Sequence, residues 1–135
     1  AWVRAGCCAR PHLRRRPRGC AVAGHVNAHG ISKIATDRAE ATAINAAFGN
    51  QKPVVALKSY TGNMGAGSGA VELISSLEAL RKGFLFRTLN YDTPDPACDI
   101  FVTNATNIPA GSSFINLSVT PQGQASAVIV KTFIS

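Results

Sequence analysis

A chain of 135 residues, 46% hydrophobic, with 12 glycines and 7 prolines spread as ordinary punctuation, is long enough for one domain with a hydrophobic core. No apolar run approaches the roughly 18 residues that a bilayer-crossing helix needs, which argues against a membrane span. The net charge of +7 would suit a nucleic-acid binder, but Arg4, Arg10, Arg14, Arg15, Arg16 and Arg18 supply six of the 14 basic residues, and residues 21–135 carry eight basic against seven acidic ones. A block of like charge reads as a solvated tail, and apart from Trp2 the aromatic residues that would interleave with a phosphate-binding patch are missing.

Residues 1–20 form this basic arm. They contain no Ser, Asp, Glu or Lys and do not begin with Met. A transit-like segment is one reading; sequence foreign to the parent fold, from a mis-assigned start or a reading-frame error, is the other, and the lack of Ser favours the second. Cys7, Cys8 and Cys20 lie in the arm and Cys98 outside it. Neighbouring Cys7 and Cys8 are a poor disulfide pair, and no signal-peptide core precedes them, so reduced cytoplasmic thiols are expected. Cys7, Cys20, His25 and His29 fit no standard zinc spacing.

Taken in chain order, Ala21–Ala28 predicts a short buried strand that runs into the turn His29-Gly30. Thr36 or Asp37 is expected to cap the next helix, with Asp37 and Glu40 at capping-box spacing. Ala39, Ala43, Ile44 and Ala47 give that helix an apolar stripe, and Gly49 is its stop. Pro53–Leu57 has the length and content of a parallel buried strand. A loop through Thr61-Gly62-Asn63 and a run of small residues follow. Helix then resumes with Val71, Ile74, Leu77 and Leu80 on one face and ends at Arg81-Lys82-Gly83. Beyond Thr93–Pro96, loop and short strand lead to two strands, Ser113–Thr120 and Ala125–Phe133, joined by Pro121–Gln124. The order β-α-β-α followed by a strand pair is an α/β layered domain, a mixed sheet with packed helices and a C-terminal antiparallel strand pair. There are no internal repeats.

Several ordered segments carry a resemblance. They are Asn27-Ala28-His29-Gly30, Asp37–Glu40 with Phe48-Gly49, Lys58-Ser59-Tyr60-Thr61-Gly62, the run Gly65–Glu72, and Leu89-Asn90-Tyr91 with Thr93–Pro96 and Cys98-Asp99. In this order and at these spacings they resemble the C-terminal half of the β-ketoacyl-acyl-carrier-protein synthases, including their chain-length-factor relatives. The resemblance covers residues 21–135 and implies a thiolase-like half-domain. It also implies a transferase of fatty acid or polyketide synthesis that joins malonyl and acyl thioesters by decarboxylative Claisen condensation. The substrates would ride on an acyl carrier protein, with no other cofactor and no metal. The implied assembly is a homodimer or a synthase/partner-subunit heterodimer.

Carried over residue by residue, the resemblance implies that His29 is the first catalytic histidine, donating to the malonyl thioester oxygen as charge develops. Lys58 and Glu72 match the family's ordering ion pair. Asn63 stands where the family has its second histidine. Its amide can donate a hydrogen bond but cannot exchange a proton at neutral pH. Two threonines that contact phosphopantetheine are replaced by Ile31 and Lys33, with Ser32 kept between them, so Ser32 and Lys33 are the expected contacts to the carrier arm. The family's Gly-Phe-Gly-Gly gate is matched by Thr120–Gln124, without the Phe. The family nucleophile, a cysteine on a helix-opening turn, belongs to the half that this sequence does not match. The expectation is therefore a half-site, inactive alone, from either a variant synthase or a non-catalytic partner resembling a chain-length factor.

Overall fold

The computed structural model describes residues 23–132, and the basic arm and the last three residues lie outside them. One four-stranded sheet, in the order β2-β1-β3-β4, organises the domain. Strand β1 (His25–Asn27) pairs in parallel with both β2 (Val54–Val55) and β3 (Ser113–Val119), and β3 pairs antiparallel with β4 (Ala125–Lys131). The mixed sheet with a terminal antiparallel pair is the architecture expected from the sequence. Of the expected strand 21–28, residues 21 and 22 lie outside the described residues; within the described ones the strand spans His25–Asn27, with Val26 and Asn27 paired on both sides and His25 to β3 alone.

Strand alternation divides the sheet into two unlike faces. Val26 and Val54 pack with Ala28 and Ile44, with Phe48, Ile100 and Leu117 against them. Val55 points the other way, to Ala79, Leu85 and Ala110. His25 and Asn27, both fully buried, also turn to this second face and hydrogen-bond to α3 (Ser68–Lys82).

Helix α1 (Ile34–Phe48) covers the first face and ends where Gly49 enters the left-handed region at φ +63. It begins earlier than the expected cap at Thr36 or Asp37. Lys33 is its extended flanking residue, and no side chain caps it. Glu40 closes no capping box here: it is turned to the His29-Gly30 turn. Its buried residues are Glu40, Ala41 and Ile44, whereas Ala39 and Ala43 are exposed, so the expected stripe is rotated. Alanines on every side of α1 leave little contrast from which to read a face.

Helix α3 departs further. Val71 and Ile74, expected inside, are exposed, and Ser68, Glu72, Ser76 and Ala79 are buried. Gly83 stops it in the left-handed conformation, its N–H shared between Ala79 O and Leu80 O, as its position after Arg81-Lys82 predicts.

Residues 84–110 are irregular but tied down. Val54 N–H donates to Phe101 O and Thr103 N–H returns to Val54 O, so Val102 extends the sheet beyond β2. One glycine pair is obligatory. A Cβ on Gly24 would meet Ala110 O at 2.7 Å, and one on Gly111 would meet Gly24 Cα at 2.7 Å. This close backbone crossing sets the 110–113 chain beside β1.

Candidate active site

The site grows from the C-terminal end of β1. After Asn27, Gly30 takes a positive φ of +42, and the chain turns so that His29 is buried beneath α1 and α2 (Lys58–Thr61). Glu40 fixes this turn. Its two carboxylate oxygens accept the His29 N–H at 2.6 Å and the Gly30 N–H at 3.0 Å. Burial pushes the Glu40 carboxyl above its ordinary range, and the two backbone donors oppose that rise. Glu40, one half of the expected capping pair, thus serves a different loop, whereas the Asp37 carboxyl faces the backbone of Ile31, Ser32 and Lys33 just before α1. The recoverable signal for Glu40 was position: it lies one turn before Ile44, on the helix's interior face.

Lys58 opens α2 and is buried. Its ammonium donates to His29 O at 2.6 Å, meets His29 Nδ1 at 3.2 Å and donates to the Glu72 carboxylate. Three expected site residues, His29, Lys58 and Glu72, are therefore in one connected cluster. An ammonium has only donors, so Nδ1 must accept and the ring proton sits on Nε2. Burial, with the Lys58 charge second, lowers the His29 pKa, against a smaller opposing pull from Asp37. The result is a neutral imidazole with Nε2–H as its donor. Burial raises the Glu72 carboxyl, and the ion pair with Lys58 draws it partly back.

Among the described residues, Asn63 makes no hydrogen bond to His29, bonding instead to α3 and the loop before it. Its side-chain oxygen accepts from Gly65 N–H at 3.1 Å and Ser68 Oγ–H at 3.2 Å, which joins it to α3 one turn before Glu72. The residue is exposed. Its amide N–H groups make no hydrogen bond among the described residues, so its donor function remains open. Ser32 and Lys33 lie on the exposed link between the His29 turn and α1, Ser32 with a positive φ of +61. Residues outside glycine rarely hold this conformation, and such strain gathers at functional positions.

Beneath α3 lies a set of polar residues to which the sequence reading gave no part in the site. His25 Nδ1 contacts Ala110 O at 2.8 Å and Nε2 contacts Ser76 Oγ at 3.1 Å, while its ring stacks on Phe114. Asn27 donates to Glu72 O at 2.8 Å and Ser76 Oγ at 2.9 Å. These bonds seat α3, and hence Glu72, on β1. With both ring nitrogens engaged, His25 is unsuited to the zinc spacing considered from sequence, and no group of three metal-binding side chains occurs among the described residues.

Cys98 is half-buried and lines a cavity of about 360 Å³ between α1 and the 88–102 segment, together with Gly30, Ser32 and Asp37. Burial and Asp95 raise its pKa, opposite to what a nucleophilic thiolate needs. Cys7, Cys8 and Cys20 lie outside the described residues. No helix among the described residues is long and apolar enough to cross a membrane.

The family model for the β-ketoacyl synthase C-terminal domain matches residues 18–92, more than half of the chain. The chain belongs to the β-ketoacyl synthase family. Among its relatives, a 3-oxoacyl-[acyl-carrier-protein] synthase 2 of Synechocystis sp. is 38% identical over 79 residues, 56% of this chain and 19% of the relative. A nodulation protein E of Rhizobium leguminosarum bv. trifolii is 36% identical over 88 residues, 63% of this chain and 21% of the relative. The chain thus spans about a fifth of the length of the curated relatives it matches. Among solved structures, a β-ketoacyl synthase from Burkholderia phymatum shares the fold with a TM-score of 0.83 at 23% identity, over 96% of this chain and 36% of that one. A type II PKS acyl-carrier protein in complex with its ketosynthase bound to the hexaketide matches at TM-score 0.79 and 28% identity, over 84% of this chain and 29% of that one. The ishigamide ketosynthase/chain length factor matches at TM-score 0.77 and 26% identity, with the same shares of the two chains.

Proposed function

We propose that this domain supplies the decarboxylation half of a β-ketoacyl synthase site, acting on malonyl and acyl thioesters carried by an acyl carrier protein. The observation that supports this reading is the Lys58 ammonium against His29 Nδ1, which fixes a neutral imidazole with its proton on Nε2. When the malonyl carboxylate leaves as carbon dioxide, the bonding electrons pass into the thioester carbonyl, whose oxygen becomes negative. The His29 Nε2–H is a donor already in place for that oxygen, in a buried setting where such a bond is strengthened. Glu40 holds the turn, and Glu72 balances the Lys58 charge. Asn63 gives amide donors in place of a second imidazole. Ser32 and Lys33 meet the phosphopantetheine arm, Lys33 as a point charge toward its phosphate. The sulfur nucleophile comes from a half outside this sequence.

A second reading, a non-catalytic partner subunit that shapes an acyl tunnel, is favoured by Asn63 itself. An amide there cannot cycle a proton.

Purified chain given malonyl- and acyl-carrier thioesters should form no ketoacyl product. The same chain supplemented with a separately produced, cysteine-bearing N-terminal half of a synthase should decarboxylate malonyl thioester. His29→Ala should lower that rate by about 10² or more. If His29→Ala decarboxylates as fast as the parent, the synthase reading fails. If the supplemented chain is inert but alters product length when paired with an active synthase, the partner-subunit reading replaces it.

A further inference from the structure

The cavity of about 360 Å³ between α1 and the 88–102 segment lies on the reverse of the His29 turn. Ala28, Gly30 and Ser32 border it, whereas His29 and Lys58 do not. Its floor is apolar: Ala41, Ile44 and Val54 are buried there, with Ile100 and Val102 beside them. Its rim is exposed at Ser32, Asn90 and Thr93, and there Ile34 leaves 70% of its surface in solvent. An apolar space that opens to water past an exposed isoleucine suits a ligand with an aliphatic tail.

Asp37 also lines this cavity, and its Oδ1 is buried without a hydrogen-bond partner. The carboxyl lies against the backbone of Ile31, Ser32 and Lys33, but no cation is paired with it. The ion pairs among the described residues are Arg38–Asp95, Lys58–Glu72 and Arg81–Glu78, so Arg38, next in sequence, is engaged elsewhere. Burial pushes the Asp37 carboxyl above its ordinary range, as it does for a charge with too little to balance it.

We infer that this cavity binds a primary alkylammonium ion, its head on Asp37 Oδ1 and its chain of about eight carbons over Ile44 and Val54. The site is separate from the condensation reading and stands whether or not that reading holds. The head follows from charge. An ammonium has three donors and no acceptor, so it satisfies the orphaned oxygen and balances the carboxylate together. A carboxylate head would meet Asp37 and Asp95 with like charge, which sets a fatty acid aside, and an alcohol would leave the Asp37 charge unbalanced. The chain length follows from volume. An apolar cavity of about 150 Å³ holds a six-carbon ring. The present space is more than twice as large, and the head and its solvent take part of it.

The test uses the full chain, with n-octylammonium chloride as the probe. Isothermal calorimetry should show saturable binding with a dissociation constant of about 1 mM or below, as a ligand of this size allows. Cys98 lines the same cavity, so its alkylation by a maleimide should slow about tenfold when the probe is at ten times its dissociation constant. Peptide mapping separates Cys98 from Cys7, Cys8 and Cys20. Asp37→Asn keeps the shape and removes the charge. It should weaken octylammonium at least about tenfold while leaving the weaker binding of 1-octanol unchanged. Ala41→Leu fills the floor without touching the acid and should abolish binding of both, with the circular dichroism as in the parent. Octanoate or 1-octanol bound as tightly as octylammonium would overturn the inference, since the charge would not be read. Octylammonium binding that either variant leaves intact, or that leaves Cys98 as reactive as before, would place the probe elsewhere and refute the site. A failure to saturate up to about 20 mM would refute it as well.

Discussion

The two faces of the sheet are built by opposite means. Under α1, Val26, Val54, Ala28 and Ile44 meet as an ordinary apolar layer. Under α3, the same strand presents His25 and Asn27 to Ser76 and to Glu72, and the helix keeps Val71 and Ile74 on its outer side. Among the described residues, Asn27 Oδ1 and Asn116 Oδ1 are buried without a hydrogen-bond partner on this face, and Asp37 Oδ1 on α1 is the same. Each such acceptor costs about 1–3 kcal/mol. One face thus carries stability, and the other gives stability up to hold Lys58 and His29 in a defined geometry. Departures from the simplest packing rule are expected where a fold serves a site.

The sharpest way to break this comparison is to remove one partner of the ion pair. Glu72→Ala leaves the Lys58 ammonium buried and unbalanced, which should destabilise the domain by about 3–5 kcal/mol in urea unfolding. It should also move the His29 titration, because Lys58 would lose its anchor. Pairing it with Lys58→Met should recover much of the loss. If the double variant is no more stable than the single one, the uncompensated charge is not the cause.

Ile44→Ala on the apolar face should be next in size, about 2–4 kcal/mol from lost contacts and the cavity left behind. The decisive contrast is in the chemistry. The His29 ring should titrate as in the parent, since no hydrogen bond of the site passes through Ile44. An altered His29 titration in this variant would mean that the two faces are not separable.

Ser76→Ala is smaller and acts on the polar face alone. The hydroxyl accepts from Asn27 and meets His25, so its loss should destabilise by about 1–3 kcal/mol, the penalty of orphaning buried groups. The backbone amides of residues 25–27 should exchange faster with solvent, read by hydrogen–deuterium exchange, while those of α1 stay protected.

The contrast between the faces also explains what the sequence disclosed and what it hid. The order of elements along the chain, the hairpin and the helix stops at Gly49 and Gly83 were legible, because short apolar runs and left-handed glycines are local signals. The placement of His29, Lys58 and Glu72 followed from matched segments, and the fold brings those three together. The face of α3 was not legible. Its period of valine, isoleucine and leucine is a sound guide only when the partner surface is apolar, and here His25, Asn27 and Asn116 made a serine and a glutamate the better fit. Glu40 was misassigned for a related reason. Capping spacing is a local pattern, whereas its real partners, His29 and Gly30, lie on another element.

The smallest effect separates the faces by pH. Burial lowers the His25 pKa below its ordinary 6.5, with the Ala110 carbonyl opposing only in part. In the unfolded chain the ring titrates near 6.5. Above that pH it is neutral in both states and its contribution to stability is fully present. As pH falls below 6.5 the unfolded chain takes the proton first, so stability is lost until the folded ring also protonates. Each tenfold difference in proton affinity corresponds to about 1.4 kcal/mol. Glu40 and Glu72, whose carboxyls are raised, have the opposite sign, since the folded state keeps their protons to higher pH. The His25 share must therefore be isolated by a variant. His25→Asn can keep an amide N–H toward Ala110 O without a group that protonates. Urea midpoints measured from pH 7.5 to 5.5 should fall more steeply for the parent chain than for the variant. A difference between the two that stays constant with pH would show that His25 is not held neutral by its burial under α3, and the polar face would lose its distinction as the acid-sensitive one.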